Sequence, residues 1–449
     1  MNHPSRKTQF AVFLTGVLLV CTQLQADVPA TTAVKAADFL DSIGACVHVQ
    51  HHQDATKLVE PIKYTGIRAI RDGADGNFDM TGLLLLHKEA GVMVCFGPGS
   101  GAKEDSLEKT LAACRKLAAA GALLAIEGPN EPNNFGGVTY EGKNSSKLKS
   151  WLPVAHYQRD LYAAVKSDPE LKNFPVYGVS EAGAEDDNAG LQFLTIPENA
   201  KTLMPAGTRF CDFLNCHNYV CGTNNRIGEN QATLAASVRP KSPIDHLFGN
   251  HGKTWRKKFD GYTEQQLETL PKVTTETGWR SDKTPAGDDL QGKLLINVFL
   301  AQYKARWAHT FIYEFTDDAD GAFGFYKADL VTPRKAAVYL HNFTAILSDH
   351  APKGSPARET PGTLVFSIPD QPASVHELLL QNSDGKFDLI VWGERIKGGD
   401  DVTVNFAIPH RAIEVYDPTI GIKPTQSLVQ SKAVSLNVSD HAIILGVSD

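Results

Sequence analysis

The stretch Ala122–Phe135 reads ALLAIEGPNEPNNF, and the fold is decided by how it divides. Ala122 to Ile126 are small or apolar, the pattern of a strand buried on both faces. The chain then turns polar at once, through Glu127, Gly128, Pro129, Asn130, Glu131 and Pro132. The two prolines restrict the backbone around Asn130-Glu131. The reading is a parallel strand that delivers a stiffly held carboxylate to its C-terminal mouth. The alternative is an ordinary loop glutamate after a core strand.

A second stretch repeats the design. Lys272–Arg280 reads KVTTETGWR, a β-branched run that ends on Glu276 with Trp279 close behind. Two carboxylates at strand mouths suit glycosidic bond cleavage. One gives a proton to the leaving oxygen, and the other attacks the anomeric carbon or activates water. Separation along the chain says nothing about their separation in space, which the fold must supply.

Outward from these stretches, strands and helices alternate. Strand-like runs are expected at Phe39–Val49, Thr65–Asp72, Gly91–Gly97, Phe174–Val179, Arg209–Val220 and His309–Phe315, besides the two above. Helical spacing falls at Asp54–Tyr64, Leu83–Ala90, Glu104–Ala120, Trp151–Ser167, Gln291–Trp307 and Val338–Leu347, with a short helix at Glu264–Leu270. Eight such units predict an α/β fold, a (β/α)8 TIM barrel over residues 27–347. No Gly-rich phosphate loop favours the alternative, an open doubly wound sheet. From residue 348 to 449 short strand-like runs and turn signals predict a C-terminal antiparallel β-sandwich. Its runs are Gly362–Pro369, Ser374–Gln381, Phe387–Gly393, Val402–Ile408, Ile413–Tyr416 and Ala442–Val447, and Asp27–Ala37 offers one more strand.

The chain has 449 residues, 42% hydrophobic and 21% charged, with a formal net charge of −7 and a pI near 6.1. A mildly acidic chain without a basic block argues against nucleic acid as a partner. Arg6 and Lys7, the apolar run Phe10–Val20 and the small residue at Ala26 read as a signal peptide over residues 1–26. Export to the periplasm or the medium is the expectation. Cys21 is a poor lipid-anchor site because Val20 precedes it. No later apolar run is long enough for a membrane span. Cys46, Cys95 and Cys211 sit in apolar runs as buried thiols do, and Cys216 with Cys221 is the expected local disulfide. Asn144, Asn342 and Asn437 begin glycosylation triplets, which matter only in a host that uses them. Oligomeric state is not legible.

These residues carry a resemblance. Over about residues 38–345 the chain resembles the glycoside hydrolases of clan A, retaining enzymes on (β/α)8 barrels. Members carry Asn-Glu, often followed by Pro, at the end of strand four, as in Asn130-Glu131-Pro132. They carry a nucleophilic Glu ending strand seven, here Glu276. Many have His-x-Tyr ending strand six, here His217-Asn218-Tyr219, and an Arg ending strand two, here Arg71. A barrel joined to a β-sandwich is similar to family 39 and its relatives, family 5 being the other comparison. The resemblance implies Glu131 as acid and base, Glu276 as nucleophile and Asn130 as the holder of the sugar 2-hydroxyl. It implies Tyr219 and Arg71 as donors that keep Glu276 ionised. Two features depart from the pattern. Tyr313-Glu314-Phe315 stands where many members have a Trp, and Phe96–Gly99 lacks the His that family 5 carries on strand three.

Each residue also has a plainer reading. Arg71 pairs with Asp72 or Asp75, and His217 and Tyr219 are structural residues of the barrel mouth. His48, His51 and His52 are solvated or sugar-binding rather than metal ligands, and no metal or cofactor is expected. Trp151, Trp255 and Trp279 are sugar platforms or core residues. Glu127 and Glu314 are rival carboxylates. Tyr313 and Trp279 complete the expected substrate-binding set. The functional expectation is a secreted retaining β-glycosidase acting on a polysaccharide or oligosaccharide. The alternatives are a catalytically silent carbohydrate-binding protein and a metal-dependent hydrolase on the same barrel.

Overall fold

The computed structural model describes residues 29–132, 135–180, 204–205, 207–220, 233, 265, 269–349 and 360–448. The leader segment, Cys221, Trp255, most of the connection to Pro271 and most of the short helix expected there lie outside the described residues.

Two short strands open the described chain, β1 (Ala30–Thr32) and β2 (Val34–Lys35), followed by α1 (Ala36–Asp41). The alternation then runs β3 (Ile43–Cys46), α2 (Ala55–Thr65), β4 (Ala69–Ala74), α3 (Thr81–Ala90), β5 (Met93–Pro98), α4 (Glu104–Ala119) and β6 (Leu123–Ile126). A small hairpin, β7 (Thr139–Tyr140) and β8 (Lys143–Asn144), leads to α5 (Ser145–Leu148) and α6 (Leu152–Ser167). Then come β9 (Leu214–His217), β10 (Lys272–Thr277), α7 (Pro285–Lys304), β11 (Trp307–Ile312) and α8 (Lys335–Leu347). Local chemistry sets the helix ends. Asp54 caps α2 by accepting from Thr56 N at 3.0 Å, and Gly66 ends it at φ 70°.

The parallel strands lie in the order β6-β5-β4-β3-β11-β10-β9. The expected fifth strand, Phe174–Val179, is reduced to bridges, Ile126 to Val176 and Tyr177 to Phe213. Its backbone still spans the gap: Tyr177 N donates to Ile126 O at 2.8 Å and Gly178 N to Phe213 O at 2.9 Å. The result is a mostly closed α/β barrel. Cys46, Ala69, Cys95, Ala125, Tyr177, Val273 and Phe311 pack together from strands all round it and fill its interior. Phe311 lies opposite Gly44 in register, and a Cβ on Gly44 would sit 2.5 Å from its ring. A larger apolar cluster lies between sheet and helices.

The remaining strands are β12 (Thr363–Ser367), β13 (Val375–Gln381), β14 (Phe387–Gly393), β15 (Asp400–Tyr416), β16 (Gln426–Val438) and β17 (Ala442–Ser448). They form one eight-stranded sheet, β1-β12-β15-β17-β14-β13-β2, with β16 on β15. All pairs are antiparallel except β2 with β13. The hydrogen bonds thus join strands expected in a sandwich into one continuous sheet around one apolar core.

Several boundaries differ from the sequence expectation. Phe39 and Leu40 belong to α1, not to the first strand. Trp307 opens β11 and does not close the helix before it. Val402–Ile408 and Ile413–Tyr416 are two halves of β15, with a register irregularity between Asn405 and His410 around Pro409, which has no N–H to donate. Strand β16 was not anticipated, because its first half is polar and exposed.

Candidate active site

The C-terminal ends of β4, β6, β9 and β10 converge on a buried cation. Arg71 in β4 is 8% exposed. Its guanidinium donates to both oxygens of Glu127, Nε to Oε2 at 2.8 Å and NH2 to Oε1 at 3.2 Å. Glu127 also accepts from Asn215 Nδ2 at 3.1 Å and Thr275 Oγ1 at 2.7 Å. Burial pushes the Glu127 carboxyl up, but the Arg71 charge and hydrogen bonds, with His217 and Thr275, outweigh it and hold it below the usual range. Glu127 is therefore a saturated anion whose partners leave it no free face for a substrate. The expected pairing of Arg71 with Asp72 or Asp75 is replaced by this one.

Arg71 reaches further. NH1 donates to Glu276 Oε2 at 3.1 Å and NH2 to Asn130 Oδ1 at 2.6 Å. The other Glu276 oxygen accepts from Tyr219 OH at 2.5 Å. Burial and the Glu276 charge raise the Tyr219 phenol well above its ordinary value, so it stays a neutral donor. Asn130 donates from Nδ2 to Ser100 Oγ at 3.0 Å. Glu131 takes a left-handed backbone at φ 37°, and its N–H donates to Ser180 O at 3.0 Å.

His217 joins the two acids. Its Nδ1 lies 2.6 Å from Glu131 Oε1 and 3.5 Å from Glu276 Oε2. The nearest atoms of Glu131, His217 and Glu276 all fall within 4.8 Å of one another. His217 Nε2 is 3.2 Å from Thr275 Oγ1. The Thr275 hydroxyl has one proton, for which Glu127 Oε1 at 2.7 Å and Asn215 Oδ1 at 3.0 Å are the acceptors, so His217 donates from Nε2. A proton on the short Nδ1–Glu131 contact is then shared between imidazole and carboxyl. Burial lowers the His217 pKa, and the Glu276 charge and Glu131 contact more than offset this, leaving it raised.

Arg71, Ser100, Asn130, Glu131, His217, Tyr219 and Glu276 line a cleft of about 600 Å³ together with His48, His51, His52, Asp72, Asp75, Phe135, Tyr313, Asp318, Asp320 and Phe323. Of the expected substrate-binding residues, Asn130, Arg71, His48, His217, Tyr219 and Tyr313 stand on this wall. Trp279 does not. Its side chain is buried, and its carbonyl accepts from Gln291 Nε2 at 3.0 Å, so it packs under the mouth. Trp151 is fully buried in the core. Tyr313 OH donates to Asp320 Oδ2 at 2.7 Å, and the Tyr313–Glu314 peptide is cis. Burial raises Asp72 to about 7, and burial with Asp318, Asp317 and Asp320 raises Glu314 to about 10.

Sequence reasoning missed Asn215, Thr275, Asp318 and Asp320. Asn215 had a signal, a polar residue inside the apolar run of β9. Thr275 had none, because β-branched threonine is ordinary strand filler.

The fold has known counterparts. A family 39 glycoside hydrolase from Bacteroides cellulosilyticus superposes with a TM-score of 0.52 at 15% identity, covering 92% of this chain and 82% of that one. A GH30 endoxylanase from Clostridium papyrosolvens gives 0.53 at 12% identity, covering 94% and 98%. A GH51 arabinofuranosidase from Xanthomonas axonopodis pv. citri gives 0.54 at 14% identity, covering 94% and 98%. These are families of clan A, the group the sequence resembles. At such identities the likeness is one of fold. No family model and no curated protein matches the sequence.

Proposed function

We propose that the protein is a glycoside hydrolase that cleaves a β-linked O-glycosidic bond with retention. One observation carries the reading: Glu131 and Glu276 face each other across the cleft, with nearest oxygens no more than 4.8 Å apart. Retaining enzymes hold their carboxyl groups roughly 5–5.5 Å apart, whereas inverting ones need roughly 6.5–9.5 Å to admit a water. The closeness supports retention.

In this mechanism Glu131 protonates the leaving oxygen while Glu276 attacks the anomeric carbon, forming a covalent glycosyl ester. Glu131, now a carboxylate, takes a proton from water, which then attacks the ester and restores the enzyme. Arg71 and Tyr219 aim Glu276 by donating to its two oxygens. His217 keeps a proton within reach of Glu131, and Asn130, itself oriented by Arg71 and Ser100, presents its amide to the sugar 2-hydroxyl. The wall carries Asp75 and Asp320, whose carboxylates disfavour a uronate and suit a neutral sugar. The leader-like segment supports action outside the cytoplasm, on an oligosaccharide or polysaccharide.

The test is incubation with a panel of aryl β-glycosides and polysaccharides beside Glu276→Ala. Product from the wild type alone, with the β-anomer released first, supports the proposal. Equal silence of both proteins favours a carbohydrate-binding role, and release of the α-anomer refutes retention.

A further inference from the structure

A second convergence of ligating atoms lies on the β3 and β11 side of the cleft, apart from the paired acids. His48 Nδ1 is 3.3 Å from Glu314 Oε2 and 3.3 Å from Asp318 Oδ2. All three atoms lie within 4.8 Å of one another. Glu314 is fully buried, and neither of its carboxyl oxygens receives a hydrogen bond. Buried beside Asp318, the Glu314 carboxyl keeps its proton until a cation supplies positive charge in its place. Among the described residues, the ion pairs of Glu314 and Asp318 are to His48 alone.

We propose that His48, Glu314 and Asp318 form a binding site for a divalent cation of the zinc class. Ligand bonds of 2.0–2.2 Å in a tetrahedron put neighbouring ligand atoms roughly 3.3–3.6 Å apart, which both measured edges meet. One imidazole with two carboxylates suits zinc or manganese better than calcium, which takes 6–8 oxygens. The supporting bonds aim the ligands. His48 N donates to Gln53 Oε1 at 2.8 Å, and Gln53 Nε2 donates to Thr316 Oγ1 at 2.7 Å, tying the β3 loop to the β11 loop. Asp318 Oδ1 accepts from Asp320 N at 2.7 Å, which leaves Oδ2 turned to His48. Three protein ligands leave a coordination position for water or for a substrate hydroxyl, because His48 and Asp318 also face the cleft. The triad of Glu131, His217 and Glu276 has a similar ligand count but is disfavoured, since Arg71 already supplies positive charge at Glu276 and Tyr219 caps its other oxygen.

The probe is zinc chloride, titrated calorimetrically into full-length protein stripped with chelator and dialysed. The expected result is one tight equivalent for the wild type, weakened by more than about a hundredfold in Glu314→Gln and in Asp318→Asn. Glu131→Gln should bind within a few-fold of the wild type. Absence of stoichiometric binding overturns the proposal. So does undiminished binding by both ligand variants, or loss of binding in Glu131→Gln alone. If thermal melts show Glu314→Gln unfolded, the partly exposed Asp318 position decides by itself. The readout is binding, so the outcome does not depend on the protein being a hydrolase.

Discussion

Among the described residues Glu276 accepts from Arg71 and Tyr219 and Glu131 meets His217, and each contact predicts a different kinetic signature. A 2-fluoro glycoside inactivator should label Glu276, read by peptide mass mapping; a label on Glu127 or Glu314 would reverse the assignment. Glu127 is the weaker rival because Arg71, Asn215 and Thr275 already occupy it. Tyr219→Phe removes one hydrogen bond to the Glu276 carboxylate, worth about 1.5–3 kcal/mol. Its kcat should fall roughly ten- to hundredfold with the melting temperature little changed. Glu131→Ala should lose about 10²–10⁴-fold on substrates with poor leaving groups and far less on activated aryl glycosides, where a proton is hardly needed. Equal losses on both would remove Glu131 from the acid role. At this scale the sequence was most legible where a charged residue ends an apolar run, as at Arg71, Glu127 and Glu276, or stands between prolines just beyond one, as at Glu131. It was least legible where the partner is a small polar residue inside a strand, such as Thr275, or sits in an acidic loop, such as Asp318. Trp279 shows the opposite error, an aromatic near Glu276 whose side chain is buried and does not line the cleft.

The elements owe their positions to a packed interior that tolerates little change. Gly44 in β3 lies under the ring of Phe311 in β11, and no side chain fits between them. Gly44→Ala should therefore destabilise the protein by about 1–3 kcal/mol, measured as a lower urea midpoint. A midpoint equal to that of the wild type would mean that the ring moves aside freely. Helices were legible from their spacing, and their ends from caps. Thr284 accepts from Gly287 N at 3.0 Å to start α7 before Pro285, a start signal that apolar spacing alone places too late. The fifth barrel segment was legible as an apolar run, yet it makes only bridges, its hydrogen bonds to the neighbouring segments running from Pro175 to Gly178 and resuming at Ser180. Strand β16 escaped notice because its first half is polar and exposed, and only Val434, Leu436 and Val438 alternate inward.

Across the whole molecule, α7 is the shared wall between barrel and sheet. Asn297 Nδ2 donates to Gly393 O and Asp440 O, both at 3.0 Å, and Lys293 pairs with Asp440 at 3.2 Å. His441 lies beside this seam, between Asp417 at 3.3 Å and Asp440 at 3.0 Å. Burial lowers its pKa, but hydrogen bonds and charge from the two aspartates prevail and raise it from 6.5 to about 9. A raised histidine pKa stabilises the fold fully below the unfolded value and loses that contribution as pH rises through the folded one. Stability should thus fall by up to about 3 kcal/mol between pH 6 and pH 9.5, and His441→Gln should flatten that slope in urea melts. A wild-type slope unchanged in the variant would assign the effect elsewhere. The change of texture near residue 348 made two architectures legible, but their seam was not, since it is built from single polar side chains. The strands that open the described chain, β1 and β2, complete the sheet that its final strands build, Ala30 pairing with Val365 and Val34 running beside Leu380. Synthesis must therefore leave the earliest segment waiting, unmatched, while the entire barrel emerges. Neither half can be excised cleanly at the barrel's edge, because β1 and β2 lead into the barrel's first helix while their partners follow its last one.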